Sequence, residues 1–274
     1  MSPEQILHLL TQEYTLMLAT NDDDITRVKQ IREEVYTAKY NKPIEFLNSI
    51  GVLFDEDDKQ SFIYLLKHNA TNKYIGTVRV FFMNKYTPSQ ILPMQQTVKS
   101  ENIKLFLEKL PVVEISRGAL IRELPHHNTF TALQLRTLLT YGLMVTTRIN
   151  FFLYSSLTVF SIMENALYRI LKRQDVNFKQ IAESVDSYGT KRTPFAIERK
   201  KLLQDTEENM GKVTRYYLKE LCQNPEKLWD FIDNNPYLER SDIHLDKICK
   251  LFSEYGDDVD LALLLAENKD YSIA

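Results

Sequence analysis

Residues 112–123 read VVEISRGALIRE. Two β-branched residues lead in, a small and apolar run follows (Gly118, Ala119, Leu120, Ile121), and Pro125 supplies a turn signal, so the stretch predicts a central strand. On a strand, residues two apart share a face: Glu114, Ser116 and Gly118 point one way, Ile115, Arg117 and Ala119 the other. One face thus offers a carboxylate beside a hydroxyl, with a glycine that admits close approach to the backbone. That set suits a substrate amine, because the carboxylate can take its proton, directly or through water, while the hydroxyl orients a carbonyl. An edge strand whose polar face is simply solvated is the other reading of the same residues.

The chain around this strand has 274 residues, 44% of them apolar, enough for one large domain or one domain with an appendage. A formal net charge of -3 provides no dominant basic field for nucleic acid. The only cysteines are Cys222 and Cys249. They show no metal-ligand spacing, so neither a disulfide framework nor a metal site is expected, and a reducing cytoplasm fits. The first residues, MSPEQILHLLTQEY, lack the basic start and apolar run of a signal peptide, and no apolar stretch is long enough for a transmembrane segment.

Taken in order, the chain predicts a short helix over residues 3–12 and a strand over Tyr14–Ala19. A helix over Ile25–Tyr40 follows, with Arg32 and Tyr36 one turn apart on one face. An acidic cluster (Asp55, Glu56, Asp57, Asp58) precedes two strands, Ser61–His68 and Tyr74–Met83, joined by hairpin residues. A short helix is expected near Glu101–Leu110, and a long apolar helix over Thr129–Thr147. Adjacent His126 and His127 have no third ligand in reach. Phe151–Leu157 reads as a buried strand, Val159–Gln174 as a helix and Phe195–Ile197 as a last strand. Beyond Glu198, apolar spacing interrupted by Pro225, Pro236 and Gly256 predicts three or four short helices. The fold class is α/β (α+β) around one mixed sheet. The expected division is a domain of residues 1–198 and a helical extension of residues 199–274.

Several marks then coincide in order. Arg32 is followed by Val35 and Tyr36; Asp55 and Asp58 precede Tyr64 and Leu65; Gly76, Thr77, Arg79 and Val80 form a G-T-x-R-V strand; Glu114, Ser116 and Arg117 form E-x-S-R. Further on come Met163 and Glu164 with Arg169, Ile170 and Leu171, then Tyr188, Gly189, Arg192 and Pro194. From about Thr11 to Glu198 the chain therefore resembles the acyl-homoserine-lactone synthase branch of the GNAT-like acyltransferases, whose motifs keep this order. Within it, the likeness is closer to the long-chain N-acyl amino acid synthases and exosortase-associated acyltransferases.

The resemblance implies an acyl group passed from acyl carrier protein, or as second choice coenzyme A, to a small amine or amino acid. No tightly bound cofactor is implied, and the oligomeric state is open. By the same likeness Glu114 and Ser116 are the candidate catalytic residues, and Arg32, Tyr36, Asp55, Asp58, Arg79 and Arg117 form a substrate-binding or active-site network. Phe152, Leu157 and Met163 are candidates for an acyl-chain pocket. Two departures stand out. The tryptophan that the lactone synthases carry after the early aromatic is missing, which counts against S-adenosylmethionine as acceptor. Between Arg122 and Thr129 there is no glycine-rich turn for a coenzyme A pyrophosphate. Basic residues near a carrier-protein entrance are then expected among Arg122, Arg136, Arg148, Lys172 and Arg173. An autoinducer synthase using S-adenosylmethionine and an inactive lipid- or protein-binding module are the competing readings.

Overall fold

The apolar runs of β2 (Ser61–His68) and β3 (Lys73–Met83) are nearly continuous because both strands are buried on both faces. They lie inside an eight-stranded sheet of order β1-β2-β3-β4-β5-β8-β6, with β7 on β8. The other strands are β1 (Tyr14–Leu18), β4 (Val112–Leu120), β5 (Thr158–Met163), β6 (Lys179–Gln180), β7 (Val185–Ser187) and β8 (Thr190–Glu198). Every pairing is antiparallel except β4 with β5. The computed structural model describes residues 3–83, 91–99, 103, 111–154, 158–187, 189–236 and 238–256.

Helices cover the two faces. On the first lies α2 (Asp22–Tyr40), after the short α1 (Pro3–His8). The side chain of Asn21 caps α2 by accepting the Asp24 N–H at 2.9 Å, three aspartates complement the dipole of its first turn, and left-handed Asn41 ends it. The same face carries α3 (Ile44–Ser49) and α4 (Glu56–Lys59). Here the acidic cluster has a structural use: Asp55 and Asp58 form a reciprocal capping box. On the second face, α5 (Ala132–Tyr154) crosses from β4 to its parallel neighbour β5. The ring of Tyr154 lies 5.1 Å from that of Phe62 and 4.3 Å from that of Phe82, anchoring the end of α5 on the sheet.

Phe151–Tyr154 belongs to α5 and not to a strand, and the strand is Thr158–Met163, where a helix was expected; the helix α6 is Asn165–Lys172. A short apolar run such as FFLY is compatible with either a buried helix end or a buried strand, and periodicity does not separate them. The helix expected near Glu101–Leu110 lies outside the described residues apart from Ile103.

The C-terminal region begins with α7 (Arg199–Gln223), a single helix of 25 residues where shorter ones were expected, followed by α8 (Glu226–Asp233) and α9 (Leu245–Tyr255). Leu202, Leu203, Val213 and Leu218 join the hydrophobic core of the sheet. Tyr217 donates its hydroxyl proton to the carbonyl of Leu10 and accepts the Leu16 N–H at 3.0 Å, tying α7 to the first strand. Arg148, expected at an entrance, is instead fully buried between α5 and α7. It donates to Thr214 Oγ1, the Leu203 carbonyl and Glu207.

The two cysteines are also corrected: Cys222 and Cys249 form a disulfide that cross-links α7 to α9. A separation of 27 residues carries no local signature, and only the packing of the two helices brings them together. Closing a loop of this length contributes about 3.5 kcal/mol by restricting the unfolded chain. Thermal melting with and without a thiol reductant measures that contribution, and the reduced protein is expected to melt lower. An unchanged midpoint would show that the cross-link carries no stability.

Candidate active site

β4 and β5 pair only from Val112 to Glu114, opposite Thr158 to Phe160, and then part. The Ser161 hydroxyl donates to the Ile115 carbonyl at 2.9 Å across the start of the opening. On its other side β4 carries a bulge. Ser116 stands opposite Arg79 and Ala119 opposite Thr77, so Arg117 and Gly118 together face Val78. Arg117 adopts φ 54°, the left-handed region.

The bulge corrects the simple alternation of faces. Ala119 moves to the face of Ser116, because their partners Thr77 and Arg79 share a face. Arg117, assigned by alternation to the opposite face, reaches Asp55 beside Arg79. A glycine inside a strand is a weak hint of such a bulge, and Gly118 was the only one in this strand.

The network expected from the sequence is assembled on the α2 face. Arg32 is fully buried and grips Asp58 with both terminal nitrogens at 2.9 Å, while also donating to the Leu53 carbonyl. Arg79 donates to Asp55 at 2.8 Å and to the Ser116 hydroxyl at 3.0 Å. Arg117 donates to Asp55 at 2.6 Å and to the carbonyls of Gly51 and Val52 at 3.2 Å. Burial pushes the Asp55 carboxyl up, but Arg79 and Arg117 outweigh it and hold it at about 2. Two guanidiniums therefore clamp the loop of residues 51–55 to the edge of the opening.

Glu114 sits behind this clamp, 1% exposed. One carboxylate oxygen accepts the Met94 N–H at 2.7 Å, and the Ser116 hydroxyl hydrogen-bonds the side chain. Burial raises its pKa to about 7, against the opposing pull of Arg79 and the Met94 N–H. Glu114 does not line the adjoining cavity, whereas Ser116 does. The carboxylate therefore communicates with the cavity through the serine.

That cavity, of about 360 Å³, runs through the opening between β4 and β5. On the α2 face its wall includes Tyr36, Lys39, Tyr40, Arg117, Glu164 and Arg192; on the α5 face it includes Leu143, Met144, Leu167 and Leu171. The α2 side carries most of the charged groups, with Val35 and Val52 beside them, and the α5 side is mostly apolar apart from Arg136 and Thr140. Arg136 lines the apolar side, and its guanidinium donates to the carbonyls of Leu120, Ile121 and Arg122 where β4 ends.

Of the residues expected in an acyl pocket, Met163 lines the cavity. Phe152 is buried in the main core and is not among the lining residues, and Leu157 lies outside the described residues. Arg122, Lys172 and Arg173 are exposed. Lys39, Tyr40 and Glu164 were not expected at the site. They come from two segments that meet only because of the sheet order, so no local spacing announces them. Among the described residues no group of His, Cys, Asp and Glu could hold a metal ion, and no helix is long and apolar enough to cross a membrane.

A mixed sheet with helices on both faces, opened between its parallel pair of strands, is the fold of the GNAT-like acyltransferases. Among solved structures, the N-acyl amino acid synthase FeeM from uncultured soil microbes aligns over 72% of this chain and 95% of its own, with TM-score 0.52 and 12% identity. The acyl-homoserine-lactone synthase BjaI, described as coenzyme A-dependent, covers 73% of this chain and 89% of its own at TM-score 0.44 and 14% identity. LasI, another lactone synthase, covers 72% and 94% at TM-score 0.42 and 9% identity. No family model matches the sequence, and no curated protein does. At such identities the likeness to FeeM establishes the fold, and chemistry has to be argued from the site.

Proposed function

We propose that the chain is an N-acyltransferase that moves a fatty acyl group to the amine of an amino acid or similar small amine. The donor is the phosphopantetheine thioester of an acyl carrier protein, with acyl-coenzyme A as second choice. The observation that carries this reading is the two-ended cavity, whose polar and apolar walls meet at Ser116 with the buried Glu114 behind it. The apolar end on the α5 face suits an acyl chain; the polar end on the α2 face suits an amine.

In this scheme the thioester carbonyl lies against β4 where that strand has parted from β5. Backbone N–H groups of β4 on the side where the pairing with β5 has ended would polarise the carbonyl oxygen. The amine attacks the carbonyl carbon, a C–N bond forms and the C–S bond breaks. The neutral amine gives one proton through the Ser116 hydroxyl to Glu114, and that proton is returned, directly or by way of water, to the departing thiolate, so that the thiol leaves and Glu114 is again a carboxylate. A carboxylate with a pKa of about 7 is well matched to taking a proton near neutral pH. Arg79 holds the Ser116 oxygen in place at 3.0 Å.

Such a donor pool belongs to the cytoplasm, where Cys222 and Cys249 would stand as thiols. The melting comparison above reports the stability of that state. Mass spectrometry of lipid extracts from bacteria overproducing the chain, compared with bacteria overproducing Ser116→Ala, tests the reading. New acyl-amides are expected only with the unaltered protein. Acyl-lactones would instead assign S-adenosylmethionine as acceptor, and extracts that match an empty-vector control would remove the enzymatic reading in that host.

A further inference from the structure

The polar end of the cavity contains groups that the proton path above does not use. Arg192, on β8, lines it, and its guanidinium donates to the Tyr40 hydroxyl and, at 3.3 Å, to Thr190 Oγ1. The same guanidinium lies 5.8 Å from the centre of the Tyr40 ring, and the Tyr36 ring is 5.6 Å from that of Tyr40. Lys39 reaches across from α2 to Glu164 at 2.6 Å, both ends of the pair being partly exposed. Ser116 lines the same cavity as Tyr36, Lys39, Tyr40, Glu164 and Arg192.

We infer that Arg192, aligned by Tyr40, forms an anion subsite that binds a carboxylate of the acceptor and so selects which amines are acylated. A guanidinium suits a carboxylate through its planar set of charged N–H groups, and here the Tyr40 hydroxyl contacts it; Lys39, which lines the same cavity, is paired with Glu164. Tyr40 holds the guanidinium from one side by hydrogen bond and ring contact, which reduces the freedom lost when an acceptor arrives. An acceptor whose carboxylate sits on Arg192 directs its neighbouring amine back along the cavity toward Ser116. A carboxamide of the same shape lacks the countercharge. This rests on the acyltransferase reading for its purpose, though not for its chemistry, since binding can be measured without a donor.

Two equimolar mixtures, free α-amino acids and the matched α-carboxamides, are titrated into the donor-free protein and into Arg192→Gln and Arg192→Lys, with thermal shift and calorimetry as readouts. The free acids are expected to bind the unaltered protein about 10–100-fold more tightly than the carboxamides, the range of one charge-assisted hydrogen-bonding group. Arg192→Gln should bring the two mixtures within about threefold of each other, and Arg192→Lys should restore part of the difference. In acyl-transfer assays the loss should appear in KM more than in kcat. Equal binding of the two mixtures, no binding of either, or unchanged preference in Arg192→Gln would overturn the subsite. Acids bound through Arg192 but never acylated would keep it and remove the acyltransferase reading. Acylation of acids and carboxamides at equal rates would do the reverse.

Discussion

Replacing Glu114 with glutamine is expected to lower kcat for acyl transfer by about 10²–10⁴-fold, the range for loss of a general base, while the protein keeps its melting temperature. Both halves follow from the burial of the side chain. The amide oxygen of the substituted glutamine can still accept the Met94 N–H, as Glu114 does at 2.7 Å, and a neutral amide adds no charge to desolvate. The cavity wall is untouched, because Glu114 does not contribute to it. What disappears is an acceptor for the proton that Ser116 relays.

The pH dependence gives an independent sign. A base must be deprotonated to act, so kcat/KM for the unaltered protein should rise with pH through about 7, where burial has placed the Glu114 carboxyl. The acid limb should be absent from the residual activity of Glu114→Gln. If the variant keeps the limb, the titrating base is another group.

Asp58→Asn is expected to have the largest effect on stability, about 3–5 kcal/mol. Asp58 and Arg32 are both fully enclosed, and the carboxylate also accepts the Asp55 N–H at 3.0 Å. Removing one charge leaves a guanidinium buried without its counterion, at a cost well above the net value of the pair. The damage should spread to function, because Asp55, which joins Arg79 to Arg117, is positioned through the same capping box. Urea unfolding measures the loss; a change below about 1 kcal/mol would place the pair among weakly coupled ion pairs.

The same network sets an acid limit. The Asp55 carboxyl lies at about 2 in the folded protein against an ordinary 3.8. Its contribution is therefore present above pH 3.8 and is lost as pH falls through about 2.

Much of the first half of the fold was legible in the residues. Asn21, three aspartates and Pro43 bracket α2, and the hairpin residues 69–72 separate two runs that can only be strands. The second half was harder, because the end of α5 and most of β5 are apolar and nearly consecutive. The site shows the same division. Glu114 beside Ser116 follows from strand alternation, and the arginine-aspartate network follows from the ordered motifs. Arg117 needed the bulge, which turns it toward Asp55. Lys39, Tyr40, Glu164 and Arg192 needed the sheet order, which brings the end of α2 against the end of β5 and the start of β8. The disulfide needed the packing of α7 on α9.

The most direct test of the central claim uses the purified chain, a carrier protein loaded with an isotopically labelled fatty acyl thioester, and a mixture of amino acids. The account predicts that label moves from the carrier to an amide-linked acyl amino acid, with one thiol released for each amide formed and neither seen with Glu114→Gln. Label that stays on the carrier, or thiol released without any amide, would contradict it.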